Sequence, residues 1–419
     1  MYATIAVVRA ETWMKQANHQ DVSPADGRDN PVSVVAGGAL LAVAVVLTAL
    51  NLRPAVTSVA PLLGEMRVEF GVSATWAGVL TTLPALCFAA AGLAAPRLSA
   101  RIGLGRTVSL SLLIIAAGLL IRAAGGSTMV LGASLVACAG IALVNVLIPV
   151  VIKGSFPARI GLMTGIYTAA LQAGGALGSA ATPGLEEPLG GWRPALAVWA
   201  ALALIALAVW VPVSRRHGAA WVRRVEHAEP PRSLLRNRLA WTVTVFFGCQ
   251  AFMAYIVMGW LPEVFIDNGV PKVQAGVLVG LASLIGVPIA LVVSPMAARR
   301  GSQSGWIVGL GLFGVVGILG VMLAPAAQPV LWSVLIGIGQ SVFALAIAVI
   351  ALRARTAEET AQLSGMAQGL GYLIAGTGPL LFGVLHDVTG GWTVPWILFL
   401  VVYAVQMATG AVAGRNRYV

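Results

Sequence analysis

Long apolar runs recur along this chain, at residues 34–64, 76–95, 108–124, 129–152, 162–183 and 194–213, and again at 239–261, 275–298, 306–324, 330–352, 362–385 and 393–413. Each is close to the roughly 20 residues that a helix needs to cross a bilayer. Inside lipid every backbone N–H and C=O must find a partner within the chain, which leaves helices as the structure these runs can adopt. The fold class implied is an all-α membrane protein with twelve transmembrane helices. A hydrophobic content of 58% with only 10% charged residues lies far outside soluble usage and agrees. The organisation follows: a polar cytoplasmic tail over 1–33, a six-helix bundle over 34–213, a cytoplasmic linker over 214–238, a second six-helix bundle over 239–413, and a short tail over 414–419. The first segment does not read as a signal peptide, because the apolar run after it is too long and lacks a small-residue cleavage site.

Net charge is +11, yet the basic residues sit in short segments between apolar runs and form no patch for nucleic acid. Their placement is a topology signal instead. Alternate loops counted from the N-terminal tail hold 21 of the 26 Lys and Arg residues; the opposite loops hold Arg67, Arg122, Arg193 and Lys272. Both termini are therefore expected on the cytoplasmic side of the inner membrane. The three cysteines, Cys87, Cys138 and Cys249, lie within apolar runs without metal-ligand spacing. No nucleophile–base pair, no metal cluster and no phosphate-binding glycine loop stands out, so no cofactor, no metal and no enzymatic activity are expected.

One basic residue belongs to neither set of loops. Arg53 stands inside the first apolar run, in Asn51-Leu52-Arg53-Pro54. A cation at that depth costs about 2.5–3.5 kcal/mol or more, and by default it faces a bundle interior or a wet cavity. Pro54 removes the helical partner of the Leu50 carbonyl, so the helix should bend there. All fifteen carboxylates fall in loops or at helix ends, so no acid at mid-membrane depth is available to neutralise Arg53. An anionic guest would; the bland alternative is an arginine that bonds carbonyls and holds the kink.

The halves repeat each other at an offset of about 200 residues. Gly190-Gly191-Trp192-Arg193-Pro194 recurs as Gly390-Gly391-Trp392-Thr393-Val394-Pro395, and Thr164, Thr168, Gln172 match Ser364, Gln368, Tyr372 in spacing and place. Parallel six-helix repeats with a site at their interface are the signature of major-facilitator halves. Polar residues expected to line that site are Arg53, Asn51, Thr57, Asn145, Gln172, Gln250, Tyr255, Gln340, Gln368 and Tyr372, with Tyr167 a weaker candidate. For each amide and phenol the alternative is a helix–helix hydrogen bond. Pro149 frees the Asn145 carbonyl as Pro54 frees that of Leu50. His386, at the outer end of span 11, is a candidate for proton coupling.

Specific stretches also resemble a known family. Asn51-Leu-Arg-Pro-Ala-Val-Thr-Ser-Val-Ala-Pro-Leu-Leu63, Asn145-Val-Leu-Ile-Pro149, Gly161-Leu-Met-Thr-Gly-Ile-Tyr167, Met366-Ala-Gln368-Gly-Leu-Gly-Tyr372 and His386-Asp387-Val-Thr-Gly-Gly-Trp392 are similar to the cyanate and 2-nitroimidazole transporter family of the major facilitator superfamily. The loop after span 2, Ala100-Arg101-Ile102-Gly103-Leu104-Gly105-Arg106, departs from the superfamily pattern in having no aspartate at Ala100. The resemblance implies secondary active transport of a small planar anionic or weakly acidic solute by alternating access. A multidrug exporter for neutral or cationic compounds is the alternative, disfavoured by the missing intramembrane acid. A receptor or membrane enzyme is a third reading, disfavoured by the missing catalytic constellation and the short loops. The partners expected are a small-molecule substrate and membrane lipid, with no nucleic acid, and one chain carrying both halves should function as a monomer. The orientation is checked with reporters: green fluorescent protein fused after Val419 should fluoresce in cells, and alkaline phosphatase fused after Val72 should be active.

Overall fold

The computed structural model describes residues 38–156, 159–221, 234–298 and 301–419, and every regular element among them is helical. The expected tail over 1–33 and much of the expected linker lie outside the described residues. Eleven helical stretches are long and apolar enough to cross a membrane. Ile160–Leu189, a 30-residue helix whose polar residues dilute its hydropathy, occupies the fifth place in a series of twelve.

Several helices overshoot their apolar runs. The second reaches Ala74–Ile102, the fourth Ser127–Ser155 and the eleventh Ala357–Thr389, because extending an existing helix satisfies one backbone pair for each residue fixed. The sixth, continued as Trp199–Trp221, runs into the segment expected to be linker. The seventh, Arg238–Asp267, starts where Asn237 accepts from the N–H groups of Leu239 and Ala240 at 2.8 and 3.1 Å, an N-cap.

The first span is broken, as Pro54 requires. It runs as Ala39–Asn51, a turn at Leu52 and Arg53, Pro54–Thr57, a tight 3-10 turn at Ala60–Leu62, and Leu63–Phe70. Pro149 produces no such break, and the fourth helix continues through it. One lost N–H is tolerated in a helix whose other ladder bonds persist. A full break needs the freed backbone to be held from outside.

Span 5 does the holding. An added Cβ at Gly174 would collide with the Leu50 carbonyl oxygen, and one at Gly178 would lie 2.7 Å from the Pro54 Cα. The broken segment therefore rests directly on a glycine face, a contact that only residues without side chains permit.

Between the halves, span 2 packs on span 11 and span 5 on span 8. Thr82 donates from its hydroxyl to the Gly376 carbonyl at 2.8 Å, and Gln172 donates through Nε2 to the Ser283 carbonyl at 3.1 Å. Gly174→Ala drives a methyl into the Leu50 carbonyl. The purified variant is expected to lose about 1–3 kcal/mol of stability, the usual cost of overpacking, seen as a lower thermal-unfolding midpoint in detergent.

Candidate functional site

At the break, Arg53 precedes the short helix Pro54–Thr57 and its backbone is bent away from ideal helix values (φ −103°). Its half-buried stem lies over Gly175, where an added Cβ would come within 3.1 Å of the Arg53 Cδ. The guanidinium thus leaves span 1 across span 5 and turns toward the other half. There Nη1 lies 3.8 Å from the Met258 Sδ of span 7, a weak acceptor. The phenols of Tyr255, Tyr372 and Tyr167, from spans 7, 11 and 5, are near enough to act on it electrostatically. Among the described residues no carboxylate pairs with Arg53.

Tyr372 is packed between aromatic rings. Tyr372 stacks on Phe88 of span 2 (5.3 Å, 27°) and meets the edge of Phe247 of span 7 at 5.4 Å. Tyr167 donates its hydroxyl to Asn145 Oδ1 at 2.5 Å, so Asn145 joins the cluster through Tyr167. Among the described residues the hydroxyls of Tyr255 and Tyr372 have no hydrogen-bond partner. A fixed cation, two open phenol donors and flat ring faces are brought together from both halves. That combination suits a small planar group carrying negative charge.

The other candidates are placed differently. Thr57 is buried and donates its hydroxyl to the Gly175 carbonyl at 2.8 Å, with the Arg53 carbonyl at 3.2 Å, so it fastens the break to span 5. Asn51 is buried just before the break, with its Nδ2 unpartnered. Gln250 is fully buried, accepts from Gln406 at 3.1 Å and donates to Gln340 at 3.2 Å, forming a ladder of amides inside the second half. Gln368 donates to Ser364 Oγ on its own helix at 2.6 Å. Gln172, sequence twin of Tyr372, contacts the span 8 backbone instead of an aromatic wall. His386 lies outside the Arg53 cluster, its ring tilted at 37° against that of Trp392 with centroids 4.1 Å apart.

Two residues that matter at the break carry no signal in the sequence. Met258 reads there as an ordinary apolar residue. Arg122 reads as a loop cation near the end of span 3, but it is 1% exposed. It donates from Nη1 to the Ala55 carbonyl at 2.6 Å and from Nη2 to Ser58 Oγ at 3.3 Å. The reason is local. Val59 N–H turns to the Val56 carbonyl at 3.3 Å, leaving the Ala55 carbonyl without the usual helical donor. The break therefore has one guanidinium bonded to its backbone and another, Arg53, projecting from it.

Two parallel helical repeats, a broken first helix and a cationic cluster between the halves define a polytopic membrane carrier. The chain belongs to the major facilitator superfamily, whose family model matches residues 39–336. Within it, the chain groups with the 2-nitroimidazole transporter of Escherichia coli (strain K12), 35% identical over 381 residues (90% of this chain, 96% of that one). It groups also with the cyanate transport protein CynX of the same organism, 33% identical over 353 residues (84% and 91%). An uncharacterized transporter, YycB, of Bacillus subtilis (strain 168) is 37% identical over 380 residues (90% and 93%). Among solved structures, a bacterial homolog of the human lysosomal transporter Spinster in an inward-facing, occupied conformation aligns with a TM-score of 0.74 at 15% identity, covering 91% of this chain and 98% of that one. The protein is a transporter and not an enzyme.

Arg122→Met leaves the Ala55 carbonyl buried without a donor. The variant should lose about 1–3 kcal/mol of stability in thermal unfolding, and Arg122→Lys, which reaches one acceptor where the guanidinium reaches two, should recover part of it.

Proposed function

We propose that this transporter is a secondary active carrier for a small planar anionic or weakly acidic solute, cyanate-like or nitroimidazole-like, and that it works by alternating access. The observation that carries the reading is Arg53: a guanidinium at a helix break, in contact with a thioether, with tyrosines around it and no acid paired with it among the described residues. An intramembrane cation held this way lacks a counter-charge until a guest supplies one. The relatives that carry the names 2-nitroimidazole transporter and cyanate transport protein support the same solute class. The carrier sits in the inner membrane with both termini in the cytoplasm, as the distribution of Lys and Arg supports, and one chain holds the whole pathway.

Membrane energetics constrain the mechanism. Each 100 mV of inside-negative potential opposes entry of a monoanion by about 2.3 kcal/mol. Accumulation therefore needs a proton taken in with the anion, or exchange for another anion, whereas export proceeds unaided. A weak acid can bring its own proton. Lipid-facing side chains such as Leu113, Ile205 and Leu312, all half exposed, keep the bundle in the bilayer while the halves rock around Arg53.

Purified protein should be stabilised against heat by cyanate or by 2-nitroimidazole, and Arg53→Ala should abolish that shift together with uptake into proteoliposomes. Arg53→Lys should keep a weaker response, because a point charge replaces a planar fork. Unchanged binding by the alanine variant would refute the anion site.

A further inference from the structure

Four carboxylates at one end of the bundle, Glu65, Glu186, Glu263 and Asp387, tie the two halves together. Lys272, at the start of span 8, bonds Glu65 of span 1 at 2.5 Å and Glu186 of span 5 at 2.7 Å. Asp387 of span 11 accepts from the backbone N–H groups of Ala74 and Thr75 at the start of span 2, at 2.9 and 2.6 Å. Arg67 of span 1 meets Glu263 of span 7 at 2.5 Å.

The third tie differs in kind. Asp387 takes two N–H donors and the Thr75 hydroxyl, so its charge is well held. Glu65 is half open to solvent. Glu263 sits one turn from the end of its helix, is 3% exposed, and has Arg67 as its single partner among the described residues. Its second oxygen, Oε2, is buried with no hydrogen-bond partner, and so is the Nε of Arg67. A buried ion pair joined at one point leaves both ions poorly solvated, and it holds only while both are charged.

The groups facing Glu263 sharpen that condition. Arg67 is the cation on span 1; Asp267 on the same helix and Asp387 on span 11 are two further negative charges nearby. His386 on span 11 lines the same space, with its Nδ1 unpartnered. A cavity of about 350 Å³, lined by Arg67, Val68, Gly71, Glu263, Asp267 and His386, adjoins the pair and has room for the water through which a proton can arrive.

We propose that Glu263 is a proton-binding site that controls the opening of this end of the transporter. With Glu263 charged, the carboxylate fastens span 1 to span 7 through Arg67. Hydronium in the cavity transfers its proton to Oε2, leaving water and a neutral carboxylic acid. The ion pair is then lost, Arg67 turns into the cavity, and the two halves are held at this point only by contacts that do not require a charge. The proton thus weights the equilibrium between closed and open forms without touching the solute site.

The test is a distance measured across this end on the full chain in lipid nanodiscs. Thr128, in the first turn of span 4, and Ala326, in the loop before span 10, are exposed on opposite halves, while Cys87, Cys138 and Cys249 are buried and escape labelling. Spin labels at Thr128→Cys and Ala326→Cys should show a longer separation whose population rises several-fold as the buffer is taken from mildly alkaline to mildly acidic. In a Glu263→Gln background the longer separation should dominate at both ends of the range, and Glu263→Asp, which keeps an ionisable group, should restore the pH response. Arg67→Gln, which removes the tie from the other side, should also remain long throughout and decides the matter if the glutamine variant does not fold. A pH response in Glu263→Gln equal to that of the parent, or none in the parent itself, would overturn the proposal. No solute is present, so this result and the Arg53 result stand or fall separately.

Discussion

Everything in this transporter that resembles a binding site depends on how the first helix is broken. A proline alone does not break a membrane helix, as Pro149 demonstrates in span 4. At Pro54 the freed backbone is accommodated from two sides. Span 5 presents glycines so close that the Leu50 carbonyl and the Pro54 Cα rest on its backbone, and Arg122 reaches from span 3 to take the Ala55 carbonyl. Carbonyls released into hydrocarbon without such partners would cost several kcal/mol each. The seat makes the break tolerable, and the break aims Arg53 across span 5 toward span 7.

The distribution of charge then divides the molecule by role. Two guanidiniums without acids lie at the break, one bonded to the Ala55 carbonyl and the Ser58 hydroxyl and one turned toward the other half. At one end of the bundle Glu65, Glu186, Glu263 and Asp387 bind the halves to each other through Lys272, Arg67 and the start of span 2. Separation of this kind avoids self-neutralisation. An acid near Arg53 would neutralise it, whereas acids at the end of the bundle pair with Lys272 and Arg67 and leave Arg53 without a counter-charge.

The helical repeats, their approximate places and the importance of Arg53 were legible in the chain because they rest on local rules: run length, the cost of a charge in lipid, and the missing N–H of proline. Partner choice was not legible. Gln250, Gln340 and Gln406 are far apart in sequence, and only packing in the second half brings their amides into one ladder. Thr57, one turn from Arg53 on the same helix, turned its hydroxyl toward the Gly175 carbonyl of another helix. Arg122 and Glu263 looked like residues at helix ends, since position along the chain does not reveal whether a helix end is covered by its neighbours. Both are almost fully buried. The helix ends also ran past the apolar runs, because backbone hydrogen bonding continues where hydrophobicity stops.

By itself, then, the order of residues determined a twelve-helix bundle in two repeats with one exposed cost, a cation set in a proline-broken helix. Those properties follow from the bilayer acting on each segment separately. The tertiary structure decided what meets that cation and what ties the halves at one end: tyrosines from spans 5, 7 and 11 around Arg53, glycines beneath it, and a buried carboxylate joining spans 1 and 7. These are contacts between segments up to about 300 residues apart. They arise only when the helices pack, since side chains on separate helices acquire their neighbours from the arrangement of the bundle and not from their own sequence.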